Sequence, residues 1–514
     1  MSQSLIAALQ NPALFPHAVE GFQVIETHIS WVLLTGPFVY KIKKPMNFGF
    51  LDFTTLAARE HFCNEELRLN QRLTEDLYLE VLPITGTAQN PQLGGEGEVI
   101  EYALKMRQFP QTGLLSTLQA NGELTPTHID QIAAQIGEFH ISAPRVTSES
   151  DLGSPDSVMA PVAQNFEQIR AMISEKADLL QLDALQAWAE SSFERLKPLL
   201  TQRKADGFIR ECHGDIHLGN ITLIDNKVVI FDCIEFNEPF RKTDVYADIG
   251  FLAMDLEDRG LKSLSRRLIS NYLELTGDYQ GLELLNFYKA YRAMVRAKVA
   301  LFGLSPDADL VQRGAVMRQY RNYANLAESY SAIPSRFLVI THGVSAVGKS
   351  HVAMRLVESL GAVRLRSDVE RKRLFADKSQ ASGLYDADAS VATYQRLHEL
   401  AAVVLRAGFP VIIDATYLKQ HQRGAAAAVA EATGVPFLIL DCEAPQAVIA
   451  GWLEQRQAQS NDPSDATLAV IEAQQASREP LTIEETLQSK RVETNKSSDL
   501  DSLVENLRQR LPGV

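Results

Sequence analysis

The sequence lacks any run approaching the ~20 uninterrupted apolar residues that a membrane-spanning helix needs. Residues 1–10 also lack the basic stretch followed by a long apolar segment that is typical of a secretory signal. We therefore expect a cytoplasmic protein with no membrane partner.

Cysteine is scarce, with four residues in a chain of 514, at Cys63, Cys212, Cys233 and Cys442. No two of them stand in a CxxC pair or at the spacing of a metal-binding motif. This distribution argues against disulfides and zinc, and it predicts reduced, mostly buried thiols.

Basic residues are also in deficit, because 50 Lys and Arg face 64 Asp and Glu, for a formal net charge of −14. Nucleic-acid affinity comes largely from Lys and Arg that neutralise phosphates, so this balance works against nucleic acid as a partner. A local basic pocket for a small molecule is compatible with it. No feature of the sequence sets an oligomeric state.

The length of the chain predicts two or three domains, since one domain usually holds roughly 100–200 residues. A helical pattern ends and an apolar strand begins around residues 331–336, which include Pro334. We therefore predict one domain at 1–330, a linker at 331–336 and a second domain at 337–514.

The first domain opens with strand-like segments and continues with helices. Strands are predicted at 31–34, 38–43, 78–84 and 99–106, with a helix at 56–73. From residue 127 the pattern is mostly helical, apart from a short β segment at 220–234. The fold class is therefore α+β, a small β-rich lobe followed by a larger helical lobe.

The second domain alternates between strands and helices. Strands are predicted at 337–342, 362–367, 409–415 and 436–442, and helices from 349 and at 391–406, 418–432 and 445–457. This alternation predicts an α/β domain with a doubly wound parallel sheet.

A phosphate-binding loop is predicted where the first of these strands meets its helix. Its residues follow the pattern G-x-x-x-x-G-K-[ST]: Gly343, Val344, Ser345, Ala346, Val347, Gly348, Lys349 and Ser350. Backbone N–H groups and the helix N-terminus would face the phosphates of ATP, Lys349 would bridge them, and Ser350 would bind Mg²⁺. The alternative is a glycine turn with an unrelated lysine.

Four charged residues after this loop are candidates for the chemistry. Asp368 and Arg371 are three residues apart, so on a helix they would share a face, the carboxylate as base and the guanidinium as phosphate ligand. Asp414 ends a buried strand, where a carboxylate is costly unless it serves Mg²⁺, the water shell of Mg²⁺ or the acceptor. Arg456 precedes a polar loop at 461–466 that would form a lid. An N-cap aspartate and solvated helix ends are the alternatives.

A second set of candidates lies in the first domain. His213, Asp215 and Asn220 have the H-x-D-x-x-x-x-N spacing of a kinase catalytic loop. A hairpin predicted after Asn220 would return the chain to Asp232, so that both could hold Mg²⁺. Asp215 would accept the proton of the substrate hydroxyl or orient that hydroxyl.

Neighbouring polar residues have other predicted roles. Asp244 and Asp248 are predicted to brace the loop through backbone N–H groups, and His217 to pack or hydrogen-bond rather than bind metal. The strand lysine and helix glutamate that would bind ATP are assigned to Lys41 and Glu66. Lys43 and Glu65 are the rival candidates, because Lys43 is two residues further on and points the same way in a strand.

The region of about 20–330 resembles the aminoglycoside phosphotransferase-like branch of the protein kinase-like fold, through HGDxHxxN at 213–220 and the Phe-Asp that ends at Asp232. About 337–495 resembles the P-loop kinases that include polynucleotide kinase, gluconate kinase and zeta toxins, through the phosphate loop, Ser-Asp-x-x-Arg at 367–371, Asp-Ala-Thr at 414–416 and Ser-Asp-Ala at 464–466. Together with VYKIKKP at 39–45 and ELRLN at 66–70, this order is similar to a bacterial group that fuses the two.

The resemblance implies that Asp368 is the base that activates the acceptor, but it does not supply the acceptor's identity. Two departures from the first family are the absence of a G-x-G-x-x-G loop and the Cys-Ile, rather than Phe-Gly, that follows Asp232. Resistance to antibiotics is therefore not implied.

The sequence as a whole predicts a bifunctional phosphotransferase that depends on ATP and Mg²⁺ and acts on small hydroxylated acceptors. A regulatory protein that binds ATP without phosphoryl transfer is the first alternative. A kinase for polynucleotide ends is the second, and it would bind its substrate with steep salt dependence.

Overall fold

The computed structural model describes residues 2–49, 51–74, 76–305, 307–332, 335–376, 386–459 and 467–510, of which 2, 455–459 and 510 are described by their backbone alone. The chain divides into two compact units. The first contains Met1–Asp255 and Tyr291–Arg321, and the second contains Leu256–Ala290 and Asn322–Val514. The predicted linker at 331–336 stays a prediction, and the segment Leu256–Ala290 packs with the phosphate-loop region.

The elements up to residue 258 are, in chain order, α1 (Ser2–Leu9), β1 (Gln23–Glu26), β2 (Ser30–Leu34), β3 (Phe38–Lys43), α2 (Leu56–Gln71), β4 (Tyr78–Thr87), β5 (Asn90–Leu93), β6 (Val99–Arg107), α3 (Leu115–Ala120), α4 (Pro126–Ser142), α5 (Pro155–Arg170), α6 (Lys176–Ala205), β7 (Ile209–Glu211), β8 (Ile221–Ile224), β9 (Lys227–Ile230), α7 (Glu238–Arg241), β10 (Lys242–Asp244) and α8 (Val245–Asp258).

The remaining elements are α9 (Lys262–Thr276), α10 (Leu282–Phe302), α11 (Leu310–Ser329), β11 (Leu338–His342), α12 (Lys349–Leu360), β12 (Val363–Arg366), α13 (Ser367–Leu374), α14 (Ala387–Arg406), β13 (Val411–Asp414), α15 (Gln420–Thr433), β14 (Phe437–Glu443), α16 (Gln446–Gln459), α17 (Leu468–Ser477), α18 (Ile483–Leu487), β15 (Ser489–Glu493) and α19 (Ser497–Arg510).

The small lobe is a six-stranded antiparallel sheet in the order β1-β2-β3-β6-β4-β5. Alternate residues of β3 point to opposite faces because a strand has a side-chain period of two. Tyr40 and Ile42 are buried in an apolar cluster with Leu5 and Ile6 of α1. The intervening lysines therefore face the other side of the sheet, where they reach the side chain of Glu66 on α2.

The hairpin predicted after Asn220 is confirmed. Strands β8 and β9 pair in antiparallel register, and the turn residues Asp225 and Asn226 have φ of 51° and 61°. Two consecutive left-handed residues are the geometry of a type I′ turn, and Asp and Asn tolerate it better than most residues. The turn brings the chain back from Asn220 to Asp232.

The phosphate-loop region is a five-stranded parallel sheet in the order β12-β13-β11-β14-β15. Every residue of β11 and β13 is buried, as expected for central strands covered on both faces by helices. Adjacent strands β11, β12 and β13 end at one edge, which in open α/β sheets is where ligands bind.

The predicted fold class, an α+β kinase-like region followed by an α/β P-loop region, is confirmed. All four cysteines are buried thiols. None of the described helices combines the length and the apolar character needed to cross a bilayer.

Candidate active sites

The predicted Lys41–Glu66 pair is present in the structure. Lys41 Nζ lies 2.7 Å from Glu66 Oε1 and 2.9 Å from Asp232 Oδ1. Lys43 also binds Glu66, with Nζ 2.6 Å from Oε2, and it pairs with Glu235 on its other side. Both predicted lysines therefore contact the same glutamate. The rival Glu65 pairs instead with side chains on α2 and at the end of α7, which are Arg68 and Arg241.

Charge neutralisation makes this buried cluster possible. The side chain of Glu66 is fully buried, and burial alone would favour its neutral form, but Lys41 and Lys43 lower its pKa to about 2. Burial raises the pKa of Glu235, although Lys43 opposes the shift. Lys41 is thus held as a cation beside Asp232, with its ammonium group fixed from the helix side.

Asp215 and Asn220 are joined in the predicted catalytic loop. Asn220 Nδ2 donates to Asp215 O and Oδ2, at 3.1 and 3.2 Å, which leaves the amide oxygen for other partners. His217 Nδ1 accepts from Gly219 N at 3.0 Å, so its proton is on Nε2, 3.5 Å from Asp215 Oδ2. Burial opposes ionisation of Asp215, but His217 lowers its pKa below the usual value. Asp215 is therefore an ionised acceptor at neutral pH.

Asp232 follows the hairpin in a strained conformation. Its φ is 67°, a region that non-glycine residues rarely adopt and that is often found at functional sites. Its N–H donates to Tyr78 Oη at 3.2 Å, and its side chain is 42% exposed. The preceding Phe231 N–H donates to Asn220 O at 3.0 Å, so Asn220 and Asp232 lie at the same end of the hairpin. Carboxylate and amide oxygens placed together fit a divalent cation.

A buried histidine connects the two halves of this site. His213 Nδ1 accepts from Asp215 N at 3.2 Å, and Nε2 donates to Phe231 O at 2.9 Å. Asp248 accepts from His213 N and Gly214 N at 2.7 and 2.8 Å, which is the bracing role predicted for it. The catalytic loop is therefore held in place by two fully buried side chains, those of His213 and Asp248.

The phosphate loop has the backbone expected for an anion cradle. Gly343, Ala346 and Gly348 have φ of 140°, 61° and 87°. A Cβ on Gly343 would lie 2.7 Å from Cys442 O, so only glycine fits there. Lys349 begins α12 and its Nζ donates to Val344 O at 2.6 Å, inside the loop. Loop N–H groups and a helix N-terminus thus face one space.

That space is a cavity of about 580 Å³, within the range of nucleotide and cofactor sites. Eight of the residues predicted for the second site line it: Ser345, Ala346, Gly348, Lys349, Ser350, Asp368, Arg371 and Asp414. The other predicted loop residues, Gly343, Val344 and Val347, are not among the lining residues. Asp368 and Arg371 both lie on α13 and line the cavity, as their spacing predicted.

Asp414 has the environment of a cation ligand. Its side chain is buried at the end of β13, and Oδ2 has no hydrogen bond to any residue that the structure describes. Arg366 Nε lies 3.8 Å from this oxygen, beyond hydrogen-bond reach. A buried carboxylate oxygen without a donor is costly, and a metal ion or its water shell would satisfy it.

Comparisons with known proteins agree with this geometry. Residues 63–285 match the model of the phosphotransferase enzyme family, and residues 338–481 match the model of an AAA domain. The predicted two-part resemblance is confirmed. We call the part of the chain up to residue 255 the phosphotransferase region and the part from residue 338 the P-loop region.

One relative matches most of the chain, whereas each solved structure matches one part of it. An uncharacterized protein of Mycobacterium tuberculosis is 29% identical over 465 residues, which cover 88% of this chain and 90% of that protein. A choline/ethanolamine kinase family protein from Mesorhizobium loti is 13% identical, with a TM-score of 0.40, over 63% of this chain and 96% of its own. A gluconokinase from Sinorhizobium meliloti is 18% identical, with a TM-score of 0.25, over 35% and 98%.

Two polar residues of the P-loop region were not predicted from the sequence. Gln474 on α17 accepts from Ser345 N at 2.7 Å and donates to Ser345 Oγ at 3.0 Å. His342, fully buried at the end of β11, accepts from Arg478 Nε at 3.0 Å, and burial with the nearby Arg478 lowers its pKa to about 4. No local pattern marks either residue, because their partners are more than a hundred residues away along the chain.

The phosphotransferase region also has an unpredicted brace, since Asp255 Oδ2 accepts from Leu218 N at 2.9 Å. Asp244, which was predicted to brace the loop, instead binds Arg203 of α6 through both oxygens, at 2.7 and 2.9 Å. The predicted lid at 461–466 and the side chain of Arg456 lie outside the described residues.

Proposed function

We propose that the chain is a bifunctional phosphotransferase with one site in each region, dependent on ATP and Mg²⁺. The observation that supports this most directly is that each region gathers a buried or cavity-lining lysine, an oxygen ligand suited to a cation, and a separate aspartate placed as a base. Phosphoryl transfer needs these three functions and little covalent chemistry from the protein.

In the phosphotransferase region, Lys41 binds phosphate oxygens while Glu66 fixes its position. Asn220 and Asp232 hold the metal through their oxygens, and Asp215 accepts the proton of the acceptor hydroxyl. His217 orients Asp215 by donating from Nε2. When bound, ATP supplies the phosphoryl group and Mg²⁺ offsets the negative charge of its phosphates.

In the P-loop region, the loop amides of residues 343–348 and Lys349 hold the phosphates. Ser350 and Asp414 supply oxygens to the metal, Asp368 takes the proton of the acceptor, and Arg371 holds phosphate charge. The acceptors of both sites are proposed to be small hydroxylated molecules in the cytoplasm, and both sites use general-base catalysis.

A regulatory role for the P-loop region is a second candidate, and one contact favours it. The side chain of Gln474 occupies the N–H of Ser345, which a bound phosphate would otherwise use. Nucleotide binding would then have to displace α17, and the displacement could serve as a signal. The presence of Asp368 in the same cavity favours catalysis, because a sensor needs no base.

The test is product analysis with single-site variants. Purified protein is incubated with ATP and a deproteinised small-molecule extract, and new phosphorylated products are found by mass spectrometry. Asp215→Asn should abolish one set of products and Lys349→Met another. Asp225→Asn, at the tip of the hairpin, and Lys490→Met, on the exposed part of β15, are the matched controls that should lose neither.

Three outcomes are decisive. If wild-type protein forms no product although it binds ATP, the regulatory candidate replaces the enzyme. If Asp215→Asn and Lys349→Met lose the same products, the protein has one activity rather than two. If neither variant loses any product, the proposal is wrong.

A further inference from the structure

Helix α9 packs against the P-loop region within the second compact unit, although it lies within the residues that match the phosphotransferase family. Arg266 of α9 donates to Glu358 O and Ser359 O, at 3.1 and 2.9 Å, where α12 ends. Gly361, with φ of 73°, leaves room for that guanidinium. A cation at a helix C-terminus is favourable because the terminal carbonyls carry partial negative charge.

The end of α9 is bound in the same way. Arg373 of α13 donates to Glu274 O and to Leu275 O, the latter at 3.4 Å. Gly277 ends α9 with φ of 72°, and a Cβ there would meet Arg373 Nε at 2.9 Å. Arg266 thus caps the C-terminus of α12 beside Gly361, and Arg373 caps the C-terminus of α9 beside Gly277. Specific contacts near both ends of α9 therefore fix its position on the P-loop region.

The carboxylate of Glu274 binds two arginines of β12. Arg364 Nη2 lies 2.7 Å from Oε2, and Arg366 Nη1 lies 2.9 Å from Oε1. Residues i and i+2 of a strand lie on the same face, so these two cations would repel each other without a shared anion. All three side chains are at least 85% buried, which strengthens the interaction.

Arg366 is also the register partner of Asp414 on the adjacent parallel strand. Its Nε is 3.8 Å from Asp414 Oδ2, while its Nη1 is bonded to Glu274. Glu274 therefore draws the guanidinium toward α9, and Asp414 Oδ2 has no hydrogen bond among the described residues. Both Arg366 and Asp414 line the cavity.

We propose that Glu274 is a positioning residue of the P-loop site, which holds Arg366 back from Asp414 and so keeps that carboxylate available to a divalent cation. This inference rests on the proposed nucleotide site of the P-loop region. If Glu274 loses its charge, Arg366 can close on Asp414 as an ion pair. A cation would then have to break that pair before it could bind.

The experiment measures how strongly Mg²⁺ improves nucleotide binding, by calorimetry with AMP-PNP in the presence and absence of Mg²⁺. The full chain carries Asp232→Asn throughout, which removes the charged one of the two proposed metal ligands of the other site, Asn220 and Asp232. Glu274→Gln should reduce the Mg²⁺-dependent gain in affinity by roughly three- to tenfold, because the cation must first break the largely buried pair of Arg366 and Asp414.

Two further variants separate positioning from support of the fold. Glu358→Gln removes the ion pair with Arg267, which is 2.7 Å long, similarly buried and in the same α9–α12 contact. It should leave the Mg²⁺-dependent gain unchanged. Adding Arg366→Gln to Glu274→Gln should restore most of the gain, because the competing cation is gone, whereas a fold defect would only deepen.

An unchanged gain in Glu274→Gln would overturn the proposal, as would failure of Arg366→Gln to restore it. The proposed function fails in a different way. If Lys349→Met in the same background binds AMP-PNP as well as its parent, the P-loop region holds no nucleotide, and both proposals are wrong.

Discussion

Replacement of Lys43 by methionine should destabilise the phosphotransferase region severely. Lys43 is 1% exposed and lies between Glu66 and Glu235, which are 0% and 5% exposed. Its loss removes the ammonium group that both carboxylates bind, although Lys41 Nζ still lies 2.7 Å from Glu66. Breaking a buried ion pair by removing one partner costs about 3–5 kcal/mol.

The expected change in Tm follows from this energy. A change of 1 kcal/mol shifts Tm by about 2–4 °C in a domain of this size, so the transition of this region should fall by about 6–20 °C. Lys105→Met is the control, because Lys105 pairs in the same sheet with Glu80, which is 49% exposed. Such a pair is worth about 0–1 kcal/mol, and its loss should lower Tm by less than about 4 °C.

The pH dependence gives the reasoning a second test. The folded-state pKa of Glu66 is about 2, below its ordinary value of 4.5, so its contribution is present above the unfolded pKa and is lost as pH falls through the folded pKa. Lys43→Met reduces this contribution and lets Glu235, whose pKa burial already raises, stay protonated at higher pH. The gap between wild type and variant should therefore be largest near neutral pH and shrink as pH drops through 4.5.

Calorimetric scans at neutral and acidic pH measure both effects. A Tm shift no larger than that of Lys105→Met would refute the reasoning. So would a shift that does not change with pH.

Three further predictions concern the sites. His217→Phe should lower kcat of the first activity with little change in KM for ATP, because His217 contacts the proposed base Asp215. A rise in KM by the same factor as the fall in kcat would contradict this. Gln474→Ala should tighten AMP-PNP binding several-fold by freeing the N–H of Ser345, because one hydrogen bond is worth about 0.5–1.5 kcal/mol, and weaker binding in calorimetry would exclude competition. Asp248→Ala leaves the N–H groups of His213 and Gly214 without their acceptor, which should lower the free energy of unfolding by about 1–3 kcal/mol for each group and abolish the first activity. A variant with wild-type Tm and rate would show that Asp248 does not brace the loop.

The parts of the fold that follow from local patterns were predicted from the sequence. Strand β3 was predicted at its observed bounds because it is rich in aromatic and β-branched residues and follows the turn at Gly36-Pro37. The phosphate loop was recognisable because glycine is required where φ is positive and a Cβ would meet backbone. By contrast, β15 reads Ser-Lys-Arg-Val-Glu, and as an edge strand it is too polar to stand out.

The sequence alone does not distinguish Lys41 from Lys43 as the lysine of the proposed ATP site. Both point to one face of β3, so period alone cannot separate them. The structure gives each an oxygen of Glu66 and a different second partner, Asp232 for Lys41 and Glu235 for Lys43. Of the two lysines, Lys41 is the one that contacts Asp232, a proposed metal ligand.

The amino-acid sequence by itself determined the two-part organisation, the fold class of each part and the residues of each motif, because those depend on spacing along a strand, a helix or a turn. Tertiary structure alone decided which distant side chains form ion pairs and hydrogen bonds with one another. Glu274 reaches Arg366, and Gln474 reaches Ser345, across about a hundred residues of chain. Such pairings arise from packing of whole helices, and a single glutamate or glutamine on an amphipathic helix carries no mark of the partner it will meet.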